Sequence, residues 1–129
     1  MRIALLEDDP VQAGLLMQTL TAAGHDCHPF SKGGALVHAL RRQTFDLLVL
    51  DWVVPDMSGE EVLRWVRESC SDQLPVIFIT ARSRESDITS ILDAGADDYV
   101  IKPVSASVLL SRVSSLLRRA YKITPAATR

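Results

Sequence analysis

The chain has 129 residues, enough for one ordinary domain and too few for two. Apolar types make up 47% and charged types 23%, a globular balance that excludes a disordered or low-complexity segment. A formal net charge of -2 leaves no global field to draw the domain onto nucleic acid or an anionic membrane. No apolar run approaches the roughly 20 residues of a membrane span, and Met1-Arg2-Ile3 opens a strand rather than a signal peptide. With two cysteines, Cys27 and Cys70, a disulfide framework is ruled out, and free thiols in a reducing cytoplasm are expected.

Along the chain, short apolar runs alternate with longer amphipathic stretches. Ile3 to Leu6 is the first run and is apolar throughout, as suits a strand buried on both faces of a parallel sheet. Asp9 then reads as an N-cap with Pro10 at the first helical position, followed by a stripe of Val11, Leu15, Leu16 and Leu20, with Gly24 as the stop. The second run, Asp26 to Phe30, carries Pro29, which has no N–H to give a neighbour and so predicts an edge strand. A helix is expected from about Gly34 to Arg42, then a strand over Leu47 to Leu50 and a helix over Glu60 to Ser69. Val76 to Ile79 predicts the fourth strand and Glu85 to Ala94 the fourth helix, closed by Gly95. Tyr99 to Ile101 is the fifth strand. The last helix starts near Ser105, buries Leu109, Val113, Leu116 and Leu117, and ends on Arg118 and Arg119, cations suited to the negative end of a helix dipole. Periodicity is lost near residue 120, so 1–120 is read as one domain and 121–129 as a linker or tail.

Five such units predict an α/β domain, a (βα)5 doubly wound parallel sheet. With the second strand at an edge, its order is the flavodoxin-like 2-1-3-4-5. In that architecture ligands sit beyond the carboxyl ends of the strands. The first strand runs into Glu7, Asp8 and Asp9, the third into Asp51, the fourth into Thr80, and the fifth into Lys102-Pro103. Two carboxylates about 4 Å apart repel by roughly 4 kcal/mol at an effective dielectric near 20, a cost a fold carries when a cation occupies the site. All-oxygen donors with no neighbouring His or Cys suit a hard ion, Mg²⁺ before Zn²⁺. Lys102 offers a point charge and Thr80 a hydroxyl, both able to hold phosphate oxygens, and the set equips one carboxylate to accept a phosphoryl group.

These features resemble the receiver domain of bacterial two-component response regulators. The likeness runs from residue 1 to about 120. It rests on Glu7-Asp8, on Leu-Val-Leu-Asp51 followed by Pro55 and Gly59, on Thr80-Ala81, and on Ala-Gly-Ala-Asp-Asp-Tyr99-Val-Ile-Lys102-Pro103. The resemblance implies that Asp51 accepts a phosphoryl group from a phosphohistidine on a sensor histidine kinase. It implies Mg²⁺ held by Asp8, Asp51 and the backbone carbonyl of Val53, with Glu7 acting directly or through water. It implies phosphoryl oxygens held by Thr80, the amide of Ala81 and Lys102, a switch that moves Thr80 and Tyr99, and a cis bond before Pro103. The closing segment and last helix resemble the large subgroup of transcription factors that carry a winged-helix DNA-binding domain after the receiver. This chain holds no such domain, which leaves an excised receiver or a stand-alone one acting as a phosphorelay or protein-interaction module.

The same subgroup dimerises through its fourth helix, fifth strand and fifth helix. Asp98 and Arg112 stand where a cross-subunit ion pair is expected, whereas Ile88 and Val108 occupy positions usually charged, so an apolar patch with Leu92 and Leu110 is expected. A rival reading, a haloacid-dehalogenase-like phosphatase, needs a second Asp two residues after the nucleophile, and that position is Val53. His25, Cys27 and His28 invite a metal reading, but strand alternation sends Cys27 and His28 to opposite faces. Asp9 is read as a cap rather than a ligand.

Overall fold

The computed structural model describes residues 1–122. Five parallel strands form one sheet in the order β2-β1-β3-β4-β5. They are β1 (Arg2–Leu6), β2 (Asp26–Phe30), β3 (Leu47–Asp51), β4 (Val76–Thr80) and β5 (Asp98–Ile101), alternating with α1 (Pro10–Ala22), α2 (Gly33–Leu40), α3 (Gly59–Ser69), α4 (Glu85–Asp93) and α5 (Ala106–Tyr121). Pro29 lies on an edge strand, as its missing donor requires: β2 pairs with β1 alone.

Strand alternation divides the core into two layers. Ala4, Leu6, Leu48, Leu50, Val76 and Phe78 face α2, α3 and α4 with Leu36, Val62, Leu63, Val66 and Ile91. Ile3, Leu5, Leu47, Val49, Ile77 and Ile79 face α1 and α5 with Leu16, Leu20, Leu109, Val113 and Leu117. Both faces of β1, β3 and β4 are therefore buried, the reason those runs are apolar at every position.

Most helix ends follow local chemistry. Asp9 accepts from the amides of Val11 and Gln12 and caps α1. Gly24 and Gly95, at φ 93° and 116°, follow the last turns of α1 and α4, where a residue without Cβ turns the chain most easily. Ser58 and Glu61 form a reciprocal capping box at α3, a signal the sequence reading passed over. The helix α2 starts one residue earlier and stops two residues sooner than its periodicity suggests. Its N-cap, Lys32, supplies no side-chain acceptor.

Two expectations are corrected here. Tyr121, read as the start of a tail, is the last residue of α5, and its hydroxyl donates to the Asp46 carbonyl at 2.7 Å, extending the helix by a tertiary tie. The rest of the expected tail, 123–129, lies outside the described residues. Leu110 does not join an exposed patch: it is half-buried against the α1–α5 layer. Asp98 and Arg112, expected to pair across subunits, lie 3.1 Å apart within this single chain, across the turn joining β5 to α5.

Candidate functional site

Four strand ends meet at one edge of the sheet. The end of β1 turns Glu7 inward and Asp8 outward: Glu7 is buried, with its amide bonded to the Phe30 carbonyl at 3.0 Å, whereas Asp8 is exposed. Asp51 is the last residue of β3 and Thr80 the last of β4, each one position further into its strand than the apolar runs alone suggest. Both are buried. The register sets Asp51 beside Ile79 and Thr80 beside Ile101, so Asp51, Thr80 and Lys102 stand at successive steps along the same edge.

Lys102 binds the two buried acids. Its Nζ lies 2.9 Å from Glu7 Oε1 and 3.0 Å from Asp51 Oδ2. Its own amide donates to the Thr80 carbonyl at 2.8 Å, and the bond to Pro103 is cis, as the resemblance implies. Desolvation pushes the ammonium's pKa down, but hydrogen bonds and charge from Glu7 and Asp51 outweigh it and hold the pKa above the ordinary lysine value. The other oxygens are engaged more lightly. Glu7 Oε2 accepts from the Asp9 amide at 3.1 Å, and Asp51 Oδ1 accepts from Val53 at 3.4 Å.

One carboxylate oxygen from each of Glu7, Asp8 and Asp51 lies within 4.8 Å of the others, the single such acid, His or Cys cluster among the described residues. Three carboxylates against one ammonium leave a formal -2, and the exposed Asp8 opens the group to water. Oxygen donors with room for waters fit a hard divalent ion. By contrast, Cys27 packs into the α1–α5 layer while the His28 ring meets Phe45 at 5.5 Å on the other face. Burial, with Asp26 beside it, pushes the Cys27 thiol up to about 11, away from the thiolate that ligates metals.

The remaining expected residues fall around this cluster. Val53 follows in the β3–α3 loop with its side chain exposed. Ala81 lines, with Lys102 and Pro103, a groove of about 580 Å³ between α1 and the start of α5. Tyr99 is half-buried on β5 against the layer under α4, opposite Phe78. Of the residues expected on a dimer face, Leu92 and Val108 are exposed and Ile88 is half-buried; Ile101 on β5, not foreseen, is also exposed.

Further contacts surround the site. Gly59 donates to the Trp52 carbonyl at 2.9 Å, and a Cβ at Gly59 would collide with the Asp51 carbonyl, so the motif glycine is needed for close backbone approach. The Arg82 guanidinium stacks 4.4 Å over Trp52, whose ring is buried edge-on to Phe78, and the Arg82 amide donates to Thr80 Oγ1 at 3.0 Å. Asp56 reaches across to α2, where its two oxygens accept from Gly33 at 2.9 Å and Gly34 at 3.0 Å. Desolvation pushes the Asp56 carboxyl up, but the Gly34 and Gly33 amides together with its own loop amides hold it below the usual carboxylate value.

A parallel 2-1-3-4-5 sheet with acids at β1 and β3, a hydroxyl at β4 and a lysine at β5 is the arrangement of a signalling receiver domain. Residues 3–114 match the response regulator receiver domain family, and the chain belongs to it. It is 40% identical over 120 residues to the phosphate regulon transcriptional regulatory protein PhoB of Rhizobium meliloti, covering 92% of this chain and 53% of that protein. It is 42% identical over 117 residues to the transcriptional regulatory protein AfsQ1 of Streptomyces coelicolor, covering 91% and 51%. The chain thus spans about half the length of the curated relatives it matches. Among solved structures, the Francisella response regulator 1452 receiver domain superposes with a TM-score of 0.87 at 26% identity, covering 92% of this chain and 97% of that one. The BeF3-activated N-terminal receiver domain of Klebsiella pneumoniae RstA gives 0.85 at 27%, covering 92% and 99%. No helix among the described residues is long and apolar enough to cross a membrane.

Proposed function

We propose that this domain is a cytoplasmic switch that takes a phosphoryl group onto Asp51 from a phosphohistidine of a sensor histidine kinase. The observation that carries the reading is Lys102 Nζ, 3.0 Å from Asp51 Oδ2 and 2.9 Å from Glu7 Oε1. A carboxylate oxygen of Asp51 attacks phosphorus, the P–O bond forms as the P–N bond breaks, and the imidazole leaves and takes a proton from water. Lys102 holds one transferred oxygen, with Thr80 and the Ala81 amide holding the others. Asp8, Asp51 and the Val53 carbonyl would hold Mg²⁺, with Glu7 acting directly or through water, and the ion would supply charge neutralisation for the phosphoryl oxygens. Thr80 and Tyr99 then relay the change toward β5 and α4. The phosphorylated domain pairs with a second copy through α4, β5 and α5, and its output is transcriptional, through a linked DNA-binding domain.

A phosphatase reading is disfavoured because Val53, exposed two residues after Asp51, offers no proton donor for a leaving group. A stand-alone relay predicts the same chemistry at Asp51 and differs only in output. Intact-mass spectrometry after incubation with Mg²⁺ and a small phosphodonor tests the core of the proposal. One added phosphoryl group is expected on the wild type and none on Asp51→Asn. Equal labelling of both would refute the assignment.

A further inference from the structure

The β3–α3 loop carries Val53, a proposed metal ligand through its carbonyl, and it is tied to an element distant in sequence. Its far end is closed locally by the bond from Gly59 to the Trp52 carbonyl and by the Ser58–Glu61 capping box. Between these points Val54 enters the core, and Asp56 makes the loop's side-chain hydrogen bonds to another element, the amides of Gly33 and Gly34 at the start of α2, 23 and 22 residues away.

The receiving surface is shaped for this contact. A Cβ at Gly34 would sit 2.8 Å from Asp56 Oδ2, and one at Gly33 would collide with the Met57 carbonyl and lie 2.9 Å from Met57 Cβ. Two consecutive glycines therefore let the loop come against α2. The helix needs the contact as well, because Lys32 at its N-cap offers no acceptor and Asp56 satisfies two of its free amides.

We propose that Asp56 is a positioning residue for the metal site: its two-oxygen clasp on Gly33 and Gly34 fixes the β3–α3 loop so that the Val53 carbonyl stands ready beside Asp51. The inference rests on the reading of Asp51, Asp8 and Glu7 as the Mg²⁺ site. Groups that orient metal ligands without touching the metal commonly set affinity by about 10- to 100-fold, and a tether three residues from the ligand belongs at the low end.

A cap on α2 alone would produce a stability effect, so the test separates the two roles. Lys32 has extended backbone at φ -135° and ψ 139°, the conformation of a capping serine. Lys32→Ser can therefore cap α2 from its own chain without touching the loop. Mg²⁺ is titrated into the wild type, Asp56→Ala and Asp56→Ala/Lys32→Ser, with Trp52 fluorescence giving Kd and thermal melts giving Tm. Asp56→Ala is expected to lower Tm and weaken Mg²⁺ binding about tenfold, and the double variant to regain Tm while binding stays weak. If Asp56→Ala does not fold, Asp56→Asn, which retains one acceptor oxygen, is expected to weaken binding about threefold. Affinity that returns with Tm in the double variant, or wild-type affinity in Asp56→Ala or Asp56→Asn, would overturn the proposal. A wild type that does not respond to Mg²⁺ at all would instead overturn the reading of the site, and the positioning role with it.

Discussion

Lys102 is the residue on which the site's electrostatics turn. Its side chain is 18% exposed, between Glu7 and Asp51 carboxylates at 1% and 8%. Removing the ammonium leaves two buried acids facing each other, so Lys102→Met is expected to destabilise the metal-free domain at the low end of the about 3–5 kcal/mol seen when a buried pair loses one partner. Urea unfolding at neutral pH measures it, and saturating Mg²⁺ should recover part of the loss. Because folding raises the lysine pKa, this contribution is complete below the ordinary value of 10.5 and disappears as pH rises through the higher folded value. The stability gap between wild type and Lys102→Met should therefore be flat from neutral pH to about 10 and close in stronger alkali. Asp8 presents the opposite case. It is exposed, so water screens its repulsion with Asp51, and Asp8→Asn should raise the metal-free Tm by only about 1–3 °C. The same change should weaken Mg²⁺ binding. A fall in the metal-free Tm would contradict the like-charge argument.

At the level of elements, the end of the sheet opposite the site depends on one side chain. Arg67, near the end of α3, donates from Nε and Nη2 to the Gly95 carbonyl at 3.0 and 2.8 Å and from Nη1 to the Leu74 carbonyl at 2.7 Å. Nη2 also meets Asp97 Oδ2 at 3.1 Å, and that oxygen accepts from the Val76 amide at 2.8 Å. One guanidinium thus ties the ends of α3 and α4 to the starts of β4 and β5. Arg67→Ala strands two carbonyls and should cost about 2–4 kcal/mol in denaturant unfolding with no change in m-value. Arg67→Lys should recover less than half, because an ammonium lacks the planar fork that spans these oxygens. Near-complete recovery by lysine would mean that charge alone matters there. The α5 terminus is held similarly, through Tyr121 on Asp46, where a periodicity argument sees only the end of a pattern.

At the scale of the whole molecule, the proposed dimer rests on exposed apolar side chains of α4, β5 and α5. Leu92 on α4, Ile101 on β5 and Val108 on α5 are 39%, 40% and 39% exposed, with Ile88 half-buried beside them. Full burial of each such side chain contributes at most about 1.5–3 kcal/mol, against about 0–1 kcal/mol for an exposed ion pair. Asp98 and Arg112 already satisfy each other within the chain, so a dimer through this face gains little from them. Sedimentation velocity should find the phosphorylated domain dimeric, with little change between low and high salt, and Ile88→Arg or Val108→Arg monomeric. Dimerisation that survives both substitutions would locate the interface elsewhere, and strong salt dependence would mean that ion pairs carry it.

The sequence by itself determined the sheet order and brought Glu7, Asp8, Asp51 and Lys102 to one edge of the sheet. Strand order followed from apolar runs and from Pro29, whose missing N–H acts whatever surrounds it. Glu7, Asp8, Asp51 and Lys102 were legible because each sits directly at a strand end, and strand ends of a doubly wound sheet converge. Only the tertiary structure decided which oxygens Lys102 takes, that Asp98 and Arg112 pair within the chain, that Leu110 turns inward, and that α5 continues to Tyr121. Nor did any local signal mark Asp56 or Arg67, whose partners lie 22 to 23 and 4 to 30 residues away. Periodicity and capping act over a few residues along the chain. The choice of a hydrogen-bond partner across the fold depends instead on which backbone groups packing leaves unsatisfied, and those exist only once the helices are laid on the sheet.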